Sequence, residues 1–273
     1  MPAEDFSSNI FDLNSFNRAQ DEIDRLRSRL PNKDVQALAR EVIVRLAQRP
    51  TPTLAHHATP SDQDIDALCH ALVSDDPDAA MRMIMQARSD GVSVADLYLY
   101  YLAVSARRLG AWWDNDLATF VDVTVGVSRI YSIMRGLHPY WIRTKGRAGK
   151  MAIFANVPGE DHTLGITMAT DLFRQDGWSI DLEVGRSHDE LVSNFESEDY
   201  SVIGLSASGR KSMSALIRLV LAIRISNPVA YVLVGGNIVA EEPDIVSLSG
   251  ADGAVQDVPQ ALRIMNRLVA PTA

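Results

Sequence analysis

The chain has 273 residues, 47% of them hydrophobic, a formal net charge of −9 and one cysteine. That length and apolar share support a sizeable core and more than one domain. The acidic balance excludes non-specific attraction to nucleic acid as the main activity, because phosphate binding relies on clustered Lys and Arg. The single Cys69 excludes an intramolecular disulfide and any multi-cysteine metal site.

In chain order, residues 1–33 are rich in Asn, Ser and Asp and read as a mobile arm. It carries one short helical candidate, "DEIDRLRSRL", with Ile23, Leu26 and Leu30 at helical spacing. The arm has neither the basic start nor the apolar middle of a secretory signal, and no stretch of the chain approaches the ~20 uninterrupted apolar residues of a membrane span. Even Leu216 to Ile225 is broken by Arg218 and Arg224, so a soluble cytoplasmic protein with no membrane partner is expected.

Residues 34–140 have helical period throughout and predict an all-helical bundle. Asp34 can cap a helix with Val35, Leu38, Val42, Ile43 and Leu46 on one face, and Ser61 a second with Ile65, Leu68 and Leu72. Cys69 falls on that second apolar face and reads as core filler. A third helix is expected over about 77–88, with Met81 to Ala87 as a lid. A fourth starts at Ser93 and runs through "VADLYLYYLAVSARRLG"; a fifth, "TFVDVTVGVSRIYSIMRGL", ends at His138 and Pro139. Residues 141–150, "WIRTKGRAGK", form a linker whose Arg143, Lys145, Arg147 and Lys150 read as a solvated basic run. From 151 to 273, short apolar runs alternate with amphipathic ones, which predicts an α/β domain: a doubly wound, Rossmann-like parallel sheet of five strands.

Ligands of such sheets bind beyond the carboxyl ends of the strands. Three of those ends are unusual: "GEDHTLG" after the first, "GLSASG" after the third and "GGN" after the fourth. The GxGxxG of a dinucleotide site is missing. His162 can ligate a metal, but alone it cannot build a zinc site, so the metal would arrive held in a macrocycle. Glu160 can accept the proton on the other ring nitrogen and orient the ligand. Gly165 leaves room for a flat ring at the helix start, Gly235 and Gly236 leave a slot for a narrow tail, and Ser206 and Ser208 offer hydroxyls at its mouth. Taken singly, these residues also read as a turn histidine, helix caps and turn glycines.

In order and spacing, Glu160, His162 and Gly165, then Ser206, then Gly235 and Gly236 resemble the DxHxxG, SxL and GG signature of base-off cobalamin-binding domains. The resemblance implies that His162 is the lower ligand to cobalt, Glu160 its hydrogen-bond partner and Ser206 a partner for the displaced dimethylbenzimidazole. Glu stands here in place of Asp, and Ser208 in place of Leu. From about Ser93 onward, "RRLGAWWDNDLATFVDVTVGVSRIYSIMRGL", "VPGEDHTLGITMATDLFRQDGWSIDL" and "IGLSASG" resemble the AerR/PpaA proteins of purple photosynthetic bacteria. That likeness implies a cobalamin-responsive antirepressor, not an enzyme, which binds a PpsR/CrtJ-type repressor of photosystem genes, with any direct DNA contact secondary. Related photosensory cobalamin proteins add light as a candidate signal; in them a bundle Trp is followed some ten residues later by an acid-His pair. Here Trp112 is followed at that distance by Asp122 and then Val123, and Trp112 or Trp113 is the expected corrin-facing ring. A heme sensor in the same pocket and a corrinoid methyl carrier are the alternatives.

Overall fold

The computed structural model describes residues 59–141, 150–197 and 200–269, all within one compact unit, Ala58–Ala273. The expected arm, the helix capped by Asp34 and positions 142–149 of the linker lie outside the described residues.

Helix α1, Asp62–Val73, begins where its sequence says it should. The Ser61 hydroxyl accepts from the Asp64 amide at 3.2 Å while the Asp64 carboxylate takes the Ser61 N–H at 2.9 Å, a reciprocal cap that satisfies two orphan donors. Its buried face is Ile65, Leu68, Cys69 and Leu72. Helix α2 spans Ala79–Ser89. Helix α3 starts as a turn at Val94–Asp96, passes through a π-helical stretch at Leu97–Leu102 and continues as Ala103–Asp114. Helix α4, Phe120–Leu137, is opened by the same reciprocal cap, made here by Thr119 and Asp122, and a 3₁₀ turn at His138–Tyr140 ends the bundle. Met81 of α2 lies against α4 at Gly136, so the expected lid helix packs within the bundle; the bundle element that reaches the loop beyond the first strand is α4.

The second half alternates as predicted: β1 Met151–Asn156, α5 Leu164–Gln175, β2 Ser179–Glu183, α6 His188–Ser197, β3 Val202–Ser206, α7 Met213–Ser226, β4 Tyr231–Gly235, α8 Ile238–Glu241, α9 Ile245–Ser249, β5 Gly253–Ala254 and α10 Val258–Leu268. All pairings are parallel, in the order β2-β1-β3-β4-β5. Parallel strands need crossovers, which lay helices over both faces and explain why β1, β3 and β4 read as nearly unbroken apolar runs. One face packs Ile153, Leu205, Val232 and Val234 under α6, α7 and α8 through Leu191, Phe195, Leu216, Val220 and Ile238. The other packs Phe154, Val202 and Leu233 under α5 and α10 through Ile166, Phe173 and Met265.

Helix α5 is buried on two sides. Its Met168 and Leu172 face away from the sheet and join Leu97, Tyr98, Ile133 and Leu137 in the core of the bundle. Each such buried side chain contributes about 1.5–3 kcal/mol. The bundle therefore sits on α5, the helix that follows the histidine loop.

Candidate functional site

Strand order reverses at β1, whose neighbours β2 and β3 lead in opposite directions, and ligands of such sheets bind beyond the carboxyl ends of the strands at this point. The two loops that leave there are tied together by one carboxylate. Glu160 is 6% exposed, and its Oε1 accepts the His162 amide at 3.1 Å and lies 2.6 Å from His162 Nδ1. Its Oε2 accepts the Ser208 amide at 2.7 Å and the Ser212 hydroxyl at 3.1 Å. Burial alone would raise the Glu160 pKa, but the hydrogen bonds from Ser208 and His162 outweigh it and hold the carboxyl down at about 2.

An ionised Glu160 must be met by a proton on Nδ1, which leaves the Nε2 lone pair of a neutral His162 free to ligate. The His162 side chain is 77% exposed, although its orientation is fixed. Its carbonyl is held as well, by the Asn156 side-chain amide at 3.0 Å. Among the described residues, no three His, Cys, Asp or Glu side chains come together to hold an ion, so a metal at His162 must bring most of its own coordination sphere.

The other residues singled out in the sequence fall as follows. Gly165 is exposed, and a methyl group built there meets no atom within 4 Å, so the start of α5 presents open space beside His162. Ser206 is paired across the sheet with Asn156 on one side and Gly235 on the other, which puts all three in one row on one face. At Gly235 a methyl group would make an ordinary 3.6 Å contact with Val255. Gly236 has φ +97°, and a Cβ there would sit 2.3 Å from the Ala207 carbonyl oxygen, so this glycine is required by the approach of two loops. Ser208 takes part through its backbone amide. Trp112 packs inside the bundle against His70, with ring centroids 4.8 Å apart, whereas Trp113 is 49% exposed and lies edge-on to Phe120 beside the exposed Leu117. Of the two, Trp113 presents its ring to solvent. Asp122 is committed to the cap of α4, accepting the Thr119 amide at 2.8 Å and the Thr119 hydroxyl at 2.7 Å. Lys150, read as part of a solvated run, is instead mostly buried, paired with Asp176 at 2.9 Å and set over the Trp178 ring.

Two members of the site, Ser212 and Asn156, were missed. Ser212 closes a 3₁₀ turn, Arg210–Ser212, and in sequence looks like an ordinary helix-start serine. Asn156 signalled itself only as a polar residue closing an apolar strand.

Comparison with known proteins bears on this geometry. Residues 151–265 match the family described as the B12 binding domain. A relative from Rhodobacter capsulatus, described as an uncharacterized 20.5 kDa protein in the bchF-crtJ intergenic region, is 24% identical over 174 residues, which is 63% of this chain and 91% of that one. Among solved structures, the monomethylamine corrinoid protein of Methanosarcina barkeri superposes with a TM-score of 0.65 at 16% identity, over 76% of this chain and 98% of that chain. A cobalamin-binding protein of Desulfitobacterium hafniense DCB-2 gives a TM-score of 0.41 at 16% identity, over the same shares of the two chains. The Methanosarcina likeness shows that the helical part and the five-stranded sheet together share the fold of that protein.

Proposed function

We propose that this chain, whose residues 151–265 match the B12 binding domain, is a cobalamin-binding regulator that acts by contact with a PpsR/CrtJ-type repressor and controls photosynthesis genes without chemical turnover. The observation that carries the cobalamin part is the Glu160–His162 pair, with Nδ1 bound to a buried carboxylate 2.6 Å away and the rest of the ring exposed at the switch point of the sheet. The regulatory part is supported by the resemblance to AerR/PpaA proteins and by the relative named for its place between bchF and crtJ. The net charge of −9 favours a protein partner over DNA.

The residues fit a corrinoid. His162 would hold the lower face and Glu160 would fix its tautomer, while Gly165 would leave room for the ring and Ser206 and Gly235 would lie along the nucleotide tail. When bound, cobalamin would supply a cobalt centre able to exchange ligands. Of the two adjacent tryptophans, Trp113 is the exposed one and would be the ring offered to the corrinoid. A ligand clamped between bundle and sheet would change the surface offered to the repressor only by the difference in its affinity for the two arrangements.

The test starts from absorption spectra of the purified protein with hydroxocobalamin and, separately, hemin. A base-off cobalamin spectrum that disappears in His162→Ala is expected. A hemin complex that forms in preference would replace the reading with a heme sensor. Repressor is then titrated with and without bound cobalamin, and equal affinities would remove the regulatory half. Methylation of the bound corrinoid by a partner methyltransferase would favour a carrier.

A further inference from the structure

The row at the end of the sheet contains a polar atom that the fold leaves without a partner. Asn156 is 2% exposed, and its Oδ1 is buried with no hydrogen bond. The amide cannot be turned over, because Nδ2 must face the His162 carbonyl 3.0 Å away, and this leaves Oδ1 on the opposite side. The same row holds Ser206, whose hydroxyl has no protein partner among the described residues, and then Gly235, which has no side chain. The row preceding it is Phe154, Gly204 and Leu233, where a Cβ on Gly204 would fall 2.6 Å from the Phe154 ring. The Asn156 row therefore continues the face that α5 covers through Ile166, just where a narrow group would enter. The first turn of α5 above it has no side-chain cap at Thr163, whose hydroxyl instead bonds Tyr131 at 2.8 Å.

Resting on the cobalamin reading, we propose that Asn156 reads the nucleotide tail, with Oδ1 accepting a hydrogen bond from a hydroxyl or amino donor that the tail carries. A buried amide oxygen with no donor penalises the empty slot, and a tail that supplies one removes that penalty. Ser206 offers the complementary donor one strand away, so the row presents an acceptor and a donor side by side to whatever enters. The donor is either a ribose hydroxyl, present on every tail, or a group on the lower base. Dimethylbenzimidazole lacks such a group, whereas hydroxybenzimidazole and adenine bases have one.

The test compares Asn156→Leu with the parent protein in binding cobinamide, which has no tail, cobalamin, and corrinoids with hydroxybenzimidazole or adenine bases. Because Asn156 also holds the His162 carbonyl, cobinamide measures that positioning effect alone and reports that the variant is folded. An additional loss of about tenfold for tail-bearing corrinoids over the loss for cobinamide is expected. If every tail-bearing corrinoid suffers it, the donor is the ribose; if only the hydroxyl- and amino-bearing bases do, it is the base. Equal losses for cobinamide and all tailed corrinoids would overturn the proposal. Asn156→Ser, smaller and still polar, gives the same comparison if the Leu variant does not fold. A parent protein that binds neither cobinamide nor cobalamin would overturn the cobalamin reading itself, and this proposal with it.

Discussion

At the residue scale the site depends on Glu160, which ties the loop after β1 to the loop after β3 and sets the proton on His162. Its carboxyl is held at about 2, well below the usual carboxylate range, so it stabilises the fold fully above about pH 4.5, and that contribution is lost as pH falls toward 2. The shift corresponds to about 3 kcal/mol. Urea denaturation of the parent protein is therefore expected to show stability falling through that acid window, and Glu160→Gln to be less stable at neutral pH with a flatter acid limb. A variant as stable as the parent at pH 7 would mean that the four hydrogen bonds contribute nothing net. The sequence made this pair legible through its order and spacing with Gly165, Ser206, Gly235 and Gly236, since taken singly a loop histidine reads as a turn residue. It did not make Ser212 or Asn156 legible, since their partners lie 52 and 6 residues away and only the sheet register and the turn after Gly209 bring them in.

At the scale of elements, the strands and half of the described helix starts follow from local chemistry. Ser61 and Thr119 each stand three residues before an acid that closes the cap, and the apolar runs that became β1, β3 and β4 are flanked by turn residues. Thr119→Ala is expected to cost about 1 kcal/mol, read from the shift in urea midpoint. The π-helical stretch was not legible: "LYLYYL" is apolar on every side, so its pattern carries no phase to distinguish one winding from another. The two glycines after β4 also looked alike in sequence but differ in the structure. Gly235→Ala meets Val255 at ordinary contact distance, whereas Gly236→Ala combines a positive φ with a collision against the Ala207 carbonyl. The first should be tolerated within about 1 kcal/mol and the second should cost about 2–4 kcal/mol. Equal thermal midpoints for the two variants would show that the turn relaxes freely.

At the scale of the whole unit, the bundle and the sheet meet through α5, and their polar contacts fall into two groups with different consequences. Asp171 accepts from the Tyr98 hydroxyl at 3.1 Å and lies 3.1 Å from His138 Nε2, which anchors α5 to the π-helical stretch and to the end of α4. Burial, reinforced by the Asp171 charge, pushes the Tyr98 phenol far above its usual pKa, so it remains a donor. Tyr131 of α4, by contrast, bonds the Thr163 hydroxyl at 2.8 Å, one residue after His162. Asp171→Ala removes the charged acceptor of a buried phenol, which keeps the long 3.3 Å contact to the Met134 carbonyl, and it should cost about 2 kcal/mol and raise hydrogen exchange along α5. Tyr131→Phe removes one partly buried hydroxyl and should cost less than about 1 kcal/mol. If the bundle senses occupancy at His162 through Thr163, this milder variant is the one that changes cobalamin release, because ligation and bundle position are then linked by the bond it deletes. Stopped-flow release of cobalamin from the two variants separates these roles: Tyr131→Phe should speed release severalfold at nearly unchanged stability. Release that follows global stability alone, fastest in Asp171→Ala and unaltered in Tyr131→Phe, would show that α4 braces α5 without reporting on the ligand.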